Sequence, residues 1–360
     1  MTTIVNSGSN MHISGMRTRL MMDLNRKLEQ AGQEVSTGFK ADVFADLRTR
    51  AHETLSLRSD LKRNEFLISQ NTLLNQRLGA MSDTLVVMRD TSQRLMDLVV
   101  PNATSPLGTA SEIQLNARAA IDSFLVQANL SFNNSSLFSG ISTDTAPLQG
   151  WDKVNPATGL SPKGVLEAVT GGAILSQADA LAKIAQIEAI FSNDPSVPVG
   201  QSFDETFYNG APAVDANGDP LPRQKALIAD GQTLDYGIQA NDAPFRSLLK
   251  GMGMLAAVDV SKITDPAAYR TWVETAVTAI ADGMKGVSDL NSRAGEYQNL
   301  VDRALELQRG RVDIYESRVL DLEGVDPYEA VTRMTQLQST LEATYQVSAR
   351  MSRLSFLNYL

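Results

Sequence analysis

The sequence predicts a mainly α protein: an antiparallel helical rod or coiled coil built from its N- and C-terminal segments, carrying a mixed α+β inserted domain. Three observations carry this reading. Long stretches towards both ends repeat apolar residues every three or four positions, the spacing of one helix face. Residues 141–286 hold 10 of the 13 prolines and 14 of the 24 glycines, the punctuation of short elements and turns. Charge divides at the same places: 141–286 carries 17 acidic and 10 basic residues, net −7, against 24 and 22, net −2, elsewhere. The domains expected are therefore 1–140, 141–286 and 287–360.

Residues 1–13, with Asn6, Ser7, Gly8, Ser9 and Asn10, are expected to lack structure. A helix follows over 14–36, with Met21, Leu24, Leu28, Ala31 and Val35 spaced as a heptad seam. Gly38 suits the left-handed turn that ends it. A long helix over 47–99 keeps a heptad through Leu57, Asn64, Leu67, Asn71, Leu74, Leu78, Met81, Leu85, Met88, Ser92, Leu95 and Val99. Asn64 and Asn71 on that seam either set register or mark its wet margin. Pro101 and Pro106 break the pattern, and Thr109 with Glu112 has the spacing of a capping box for a third helix. The run from Asn133 to Gly140 forms turns. Within the middle segment, 178–191, 244–258 and 266–284 read as helices and 203–208 as a strand. Residues 225–238 read as a hairpin turning at Asp230-Gly231. The frame resumes at Val287 with a weaker heptad to Leu322, and Gly324-Val325 separates it from a last helix over 326–360. Asp326, Pro327 and Glu329 start that helix. Met334, Leu337, Leu341, Tyr345, Met351, Leu354 and Leu357 stripe one face of it, an apolar face expected to be covered in use.

Composition excludes several function classes. Without cysteine there is no disulfide, thiolate catalysis or cysteine metal site. A net charge of −9 argues against nucleic acid as a partner. No apolar run reaches the roughly 18–20 residues of a membrane span, and no basic-then-apolar secretory signal opens the chain. His12 and His52 lie apart, without companion ligands. Asp215-Ala216-Asn217-Gly218-Asp219 resembles the start of a calcium loop, but Pro220 stands where the loop needs Gly and Ala226 where it needs Glu. Gly251 and Gly253 are read as helix packing, and Arg58, Lys62 and Arg63 among Glu53, Asp60 and Glu65 as a solvated ion-pair face. No catalytic, cofactor-binding or metal residues emerge, and an enzyme is not expected.

Several stretches resemble the bacterial flagellin family. Gln33-Glu34-Val35-Ser36-Thr37-Gly38 is similar to the end of that family's first helix. Ala128-Asn129-Leu130-Ser131-Phe132 through Leu137-Phe138-Ser139-Gly140 is similar to its "AN…FN…LFSG" segment. Val325 to Ala330 and Gln336 to Tyr345 are similar to its C-terminal helix. Leu354-Ser355-Phe356-Leu357-Asn358-Tyr359-Leu360 resembles the ending of the family's hook–filament junction members, whereas filament subunits more often end in leucine-arginine or a glutamine-like residue. Asp230 to Asn241 also resembles junction members and some short flagellins. The resemblance covers about 13–140 and 287–360. It implies polymerisation through terminal helices over 14–36 and 326–360, and a variable domain projecting outward. It also implies export, without a cleaved signal, through the flagellar type III apparatus, and an extracellular place in the flagellum. The implied partners are a hook-side hook-associated protein, flagellin, further copies of the chain in a ring and a cytosolic export chaperone. Nucleic acid and membrane insertion are not implied, nor is any cofactor. Met21, Leu24, Leu28, Leu341, Met351, Leu354 and Leu357 are the expected assembly residues. The competing readings are a flagellin of the filament and, from another class, a cytosolic coiled-coil scaffold.

Overall fold

A computed structural model describes residues 4–357, apart from 172 and 216–218, and the side chains of 15–351; these described residues form nine α-helices and two small hairpins. The helices are α1 (Ile4–Thr37), α2 (Val43–Leu47), α3 (Ala51–Val99), α4 (Ile113–Ala128), α5 (Pro162–Thr170), α6 (Gln177–Ser192), α7 (Ala243–Ala257), α8 (Pro266–Glu323) and α9 (Pro327–Leu357). Strands β1 (Ser131–Phe132) and β2 (Ser135–Ser136) form one antiparallel hairpin, and β3 (Lys225–Ala229) and β4 (Gln232–Asp235) the other. The fold is mainly α, as the spacing predicts. It divides into a terminal unit, Met1–Phe66 with Leu307–Leu360, and a larger unit, Leu67–Glu306.

The larger unit has one continuous core. Leu78, Met81, Leu85 and Met88 of α3 are fully buried, as are Ile113, Ala117, Ile121 and Phe124 of α4. Phe245 of α7 meets Phe124 edge-on at 6.1 Å and Phe138 at 5.6 Å. Trp272 of α8 donates its indole N–H to the Met254 carbonyl (3.2 Å), the partner a buried indole needs. α3 and the middle of α8 run antiparallel, tied by Asn75 to Asp302 (2.7 Å) and Ser82 to Asn291 (2.6 Å). Asn71 is buried and donates to the Ile228 carbonyl of β3 (2.8 Å). It is therefore a bonded seam residue, and the wet-margin alternative falls away.

Residues 141–286 do not stand apart as a domain. Their apolar side chains, Phe245, Leu248, Trp272 and Ile280 among them, belong to the same core as those of α3 and α4. The compact units accordingly divide near 66 and 306, not at 140 and 286. Proline and glycine density does not mark a domain boundary here, because those residues join short elements laid onto the long helices.

Other expectations are corrected locally. α1 begins at Ile4, not at 14, so most of the segment expected to lack structure is helical; residues 1–3 lie outside the described ones. Residues 203–208 form no strand. Phe203–Phe207 is a wide helical turn started by a capping box between Ser202 and Glu205. The two helices expected over 266–322 are one 58-residue helix, α8. Thr109 does not cap: its hydroxyl accepts from Asn102 (2.9 Å), and α4 follows a 3-10 turn, Ala110–Glu112. α5 was not expected. The β3–β4 hairpin turns at Asp230-Gly231 as predicted, with Gly231 at φ 72°. In the turn between β1 and β2, Asn133 and Asn134 both take positive φ, 49° and 59°, the geometry of a tight hairpin turn.

The seam and clasp of the terminal unit

In the terminal unit α1 and α9 lie side by side and antiparallel, since Glu34 near the end of α1 pairs with Arg333 near the start of α9 at 3.3 Å. Leu341 lies eight residues beyond Arg333, and Arg26 eight before Glu34. At equal rise per residue Leu341 is level with the turn from Leu24 to Leu28. The burial agrees: Leu24, Ala31, Ala330 and Leu341 are buried, and Met21, Leu28, Val35, Met334 and Leu337 half-buried. Of the expected assembly residues, the fold thus brings Met21, Leu24, Leu28 and Leu341 into one seam. Met351 is exposed. Leu354 and Leu357 are on the helix, with side chains outside the described residues.

A second layer of this unit pairs α3 with the end of α8. Leu47, Ala51, Leu57, Val319 and Leu322 form its small core. Asn64 is buried and donates to the Gln308 carbonyl (2.5 Å). Arg58, read from sequence as part of a solvated face, donates through Nε (2.9 Å) and Nη2 to the Glu323 carboxylate, which is fully buried. Its hydrogen bonds to Glu323 hold the Arg58 guanidinium above its usual value, against the opposing effect of burial.

Between these layers run two short linkers, 38–42 and 324–326, paired like strands. Lys40 N–H donates to the Glu323 carbonyl (2.8 Å) and Val325 N–H to the Gly38 carbonyl (3.0 Å), around an antiparallel bridge between Phe39 and Gly324. Lys40 Nζ donates to the Leu322 carbonyl (2.8 Å), a free acceptor at the α8 end. Ala41 N–H donates to Glu34 Oε1 (3.3 Å). Asp326 caps α9 by accepting from Tyr328 N–H (2.8 Å), while Glu329 turns to Arg333 (2.8 Å) and does not reach back to the cap. A cleft of about 310 Å³ beside the linkers is lined by Glu34, Lys40, Asp46, Asp326, Glu329 and Arg333. The pairings of Glu34 with Arg333 and of Arg58 with Glu323 were not legible in the sequence, because each spans hundreds of residues and no local spacing signals that.

The unit also leaves much apolar surface uncovered. Among the described residues it exposes fifteen large apolar side chains, while the larger unit, twice as long, exposes fourteen. They include Met16, Leu20, Phe66, Leu307, Ile314 and Tyr328. Surface of this density on thin helix pairs is what an interaction face leaves open when alone. Among the described residues no group of three or more His, Cys, Asp or Glu is placed to hold a metal ion.

The profile of the bacterial flagellin N-terminal helical region matches residues 9–143, and that of the flagellin C-terminal helical region matches 277–360. The chain belongs to the bacterial flagellin family. The two flagellin regions contain most of α1 and α8 and all of α2 to α4 and α9, so they take in the seam and both linkers. Flagellin membership makes the protein structural and places it in the bacterial flagellum, an extracellular appendage. No described helix is long and apolar enough to cross a membrane. No curated protein matches the chain. A solved structure described, provisionally, as a flagellar hook-associated protein from Vibrio parahaemolyticus shares the fold at a TM-score of 0.51 and 14% identity, over 77% of this chain and 99% of that one.

Proposed function

We propose that this flagellin-family protein is the joint between hook and filament. It assembles as a ring of copies, contacts a hook-side hook-associated protein below and accepts the first flagellin subunits above. The observation that carries the reading is the uncovered apolar surface of the terminal unit, which needs neighbouring subunits to leave water. The likeness to a structure described as hook-associated and the similarity of residues 354–360 to junction members support the joint over a filament subunit. Met21, Leu24, Leu28, Leu341, Met351, Leu354 and Leu357 are the residues assigned to assembly, within the subunit along the seam and between subunits beyond it. The chain reaches its place through the flagellar type III apparatus without a cleaved signal. A cytosolic chaperone covers α9 until then, because an exposed apolar stripe invites association.

The test is deletion of the gene. A strain without the protein is expected to keep its hooks and to release flagellin into the medium, and complementation restores attached filaments. Attached filaments in the deletion strain overturn the proposal. Hooks with no flagellin made into filament or shed would instead identify a filament subunit.

A further inference from the structure

We propose that Arg77 is a register-setting bolt, an arginine of α3 whose single guanidinium fixes both small hairpins against the long helix and to each other. Arg77 is only 8% exposed, so water does little to solvate its charge. Neutral oxygens occupy its fork. Nη1 donates to the Ser135 hydroxyl (3.0 Å) and Nη2 to the Ser136 carbonyl (2.5 Å), both of β2, while Nη2 also reaches Gln224 Oε1 (3.3 Å), just ahead of β3. Among the described residues no carboxylate pairs with it. Burial accordingly pushes the guanidinium below its usual value, opposed only by Tyr236, which follows β4. Gln224 carries the tie onward. Its Nε2 donates to the Gly140 carbonyl (2.6 Å), and its own carbonyl accepts the Tyr236 (3.1 Å) and Gly237 (3.2 Å) amides. Ala240 N–H donates to the Phe138 carbonyl (2.8 Å) beside an antiparallel bridge between Ser139 and Gln239. The two stretches 128–140 and 230–241 are thus stitched to each other, and Arg77 ties the stitch to α3.

A buried cation held only by neutral groups is a poor source of stability, and an apolar side chain of similar length is the cheaper occupant. What the fork supplies is geometry, since its planar donors fit one placement of three oxygens from two segments. The hairpins need such a reference. A lone two-stranded hairpin is marginal, and β1 and β2 have two residues each. The β3–β4 pair buries only Ile228 and Leu234, so little apolar surface opposes a slipped pairing. Arg77 therefore places the hairpins more than it stabilises the unit. All of these residues lie in the larger unit, so the inference stands apart from the chain ends and from the junction reading.

Hydrogen exchange of the full-length protein, read by mass spectrometry alongside thermal melting, tests it. Arg77→Met keeps much of the side-chain length and removes the fork and the charge. It is expected to speed exchange about tenfold or more in peptides covering 131–137 and in those covering 224–237, with peptides around Trp272 unchanged. The melting temperature of the larger unit is expected to stay at or above the wild-type value. Arg77→Lys keeps the charge without the fork, and is expected to speed exchange in the same two segments and to lower the melting temperature. Lys225→Gln, which breaks the exposed cross-strand pair with Asp235 (3.2 Å), leaves 131–137 unchanged. Acceleration in one hairpin alone or in neither, a lowered melting temperature in Arg77→Met, or full protection of both hairpins in Arg77→Lys would each overturn the proposal.

Discussion

Asp204 and Glu205 are neighbours whose carboxyl groups are pushed in opposite directions. Burial raises Asp204 above the usual carboxylate value, against weaker help from Asn193, Arg246 and Asn241. The Ser202 hydroxyl (2.7 Å), with the Gly200 and Ser202 amides, lowers Glu205. A raised acid costs stability when ionised, and that cost disappears as pH falls below the unfolded Asp value of about 3.9. Asp204→Asn is expected to raise the melting temperature of the larger unit at pH 7, with the gain shrinking to nothing by about pH 4. A lowered acid adds stability above its unfolded value, about 4.3 for Glu, and loses it as pH falls further. Glu205→Gln should lower the melting temperature at pH 7 and match wild type in acid. Melting curves across that range would show either sign to be wrong. Neither environment was legible in sequence. The alternation of 203–208 reads as a strand, and the capping box that bends it into a turn binds only once Ser202 and Glu205 are brought face to face.

At the scale of the element, glycine decides how closely α7 and α8 approach. A Cβ at Gly251 would meet Ile280 Cγ1 at 2.6 Å and the Ala276 carbonyl oxygen at 2.7 Å. A Cβ at Gly283 would meet Leu248 Cγ at 2.6 Å and its backbone nitrogen at 2.8 Å, and one at Gly286 would meet Pro244 Cγ at 2.6 Å. The contacts step in opposite directions along the two helices, so the pair is antiparallel with backbones almost touching. Gly283→Ala forces a backbone to move and is expected to destabilise by about 1–3 kcal/mol. Gly295→Ala on the same helix meets nothing within 4 Å and is expected to stabilise by up to about 1 kcal/mol. Denaturant titration of the two variants separates packing from propensity; equal effects would refute the distinction. Gly251 was legible as a packing residue, while Gly286 stood only at the expected boundary of the middle segment. A glycine in a helical pattern does not say whether its missing side chain serves a turn or a neighbour.

At the scale of the molecule, apolar surface is distributed unequally between the two units. The larger buries Trp272, Tyr269, Phe124, Phe138, Phe203 and Phe245 almost completely, and the terminal unit relies on small cores with an open exterior. The resemblance implied a variable domain projecting outward, one that a link from Gly140 to Val287 would remove without harm to the rest. With a shared core the expectation reverses. That deletion takes Phe245, Leu248, Trp272 and Ile280 from contact with the core of α3 and α4. The joined chain is expected to lose the cooperative melting transition of the larger unit; a transition at the wild-type temperature would show that the core survives without them.

What the amino-acid sequence determined by itself is the helical class, the seams of α1 and α3, that of α9 from Met334 to Leu341, the β3–β4 hairpin and the flagellin resemblance. These rest on interactions between residues close in the chain, where a period of three to four or a turn dipeptide leaves a visible mark. Only the tertiary structure decided that α8 is continuous, that residues 141–286 share a core with the long helices, and that Glu34 meets Arg333 while Arg58 meets Glu323. Those outcomes depend on pairs of groups brought together by folding. The energy of a buried carboxylate or a missing Cβ is set by what lies across the contact, which no local pattern records.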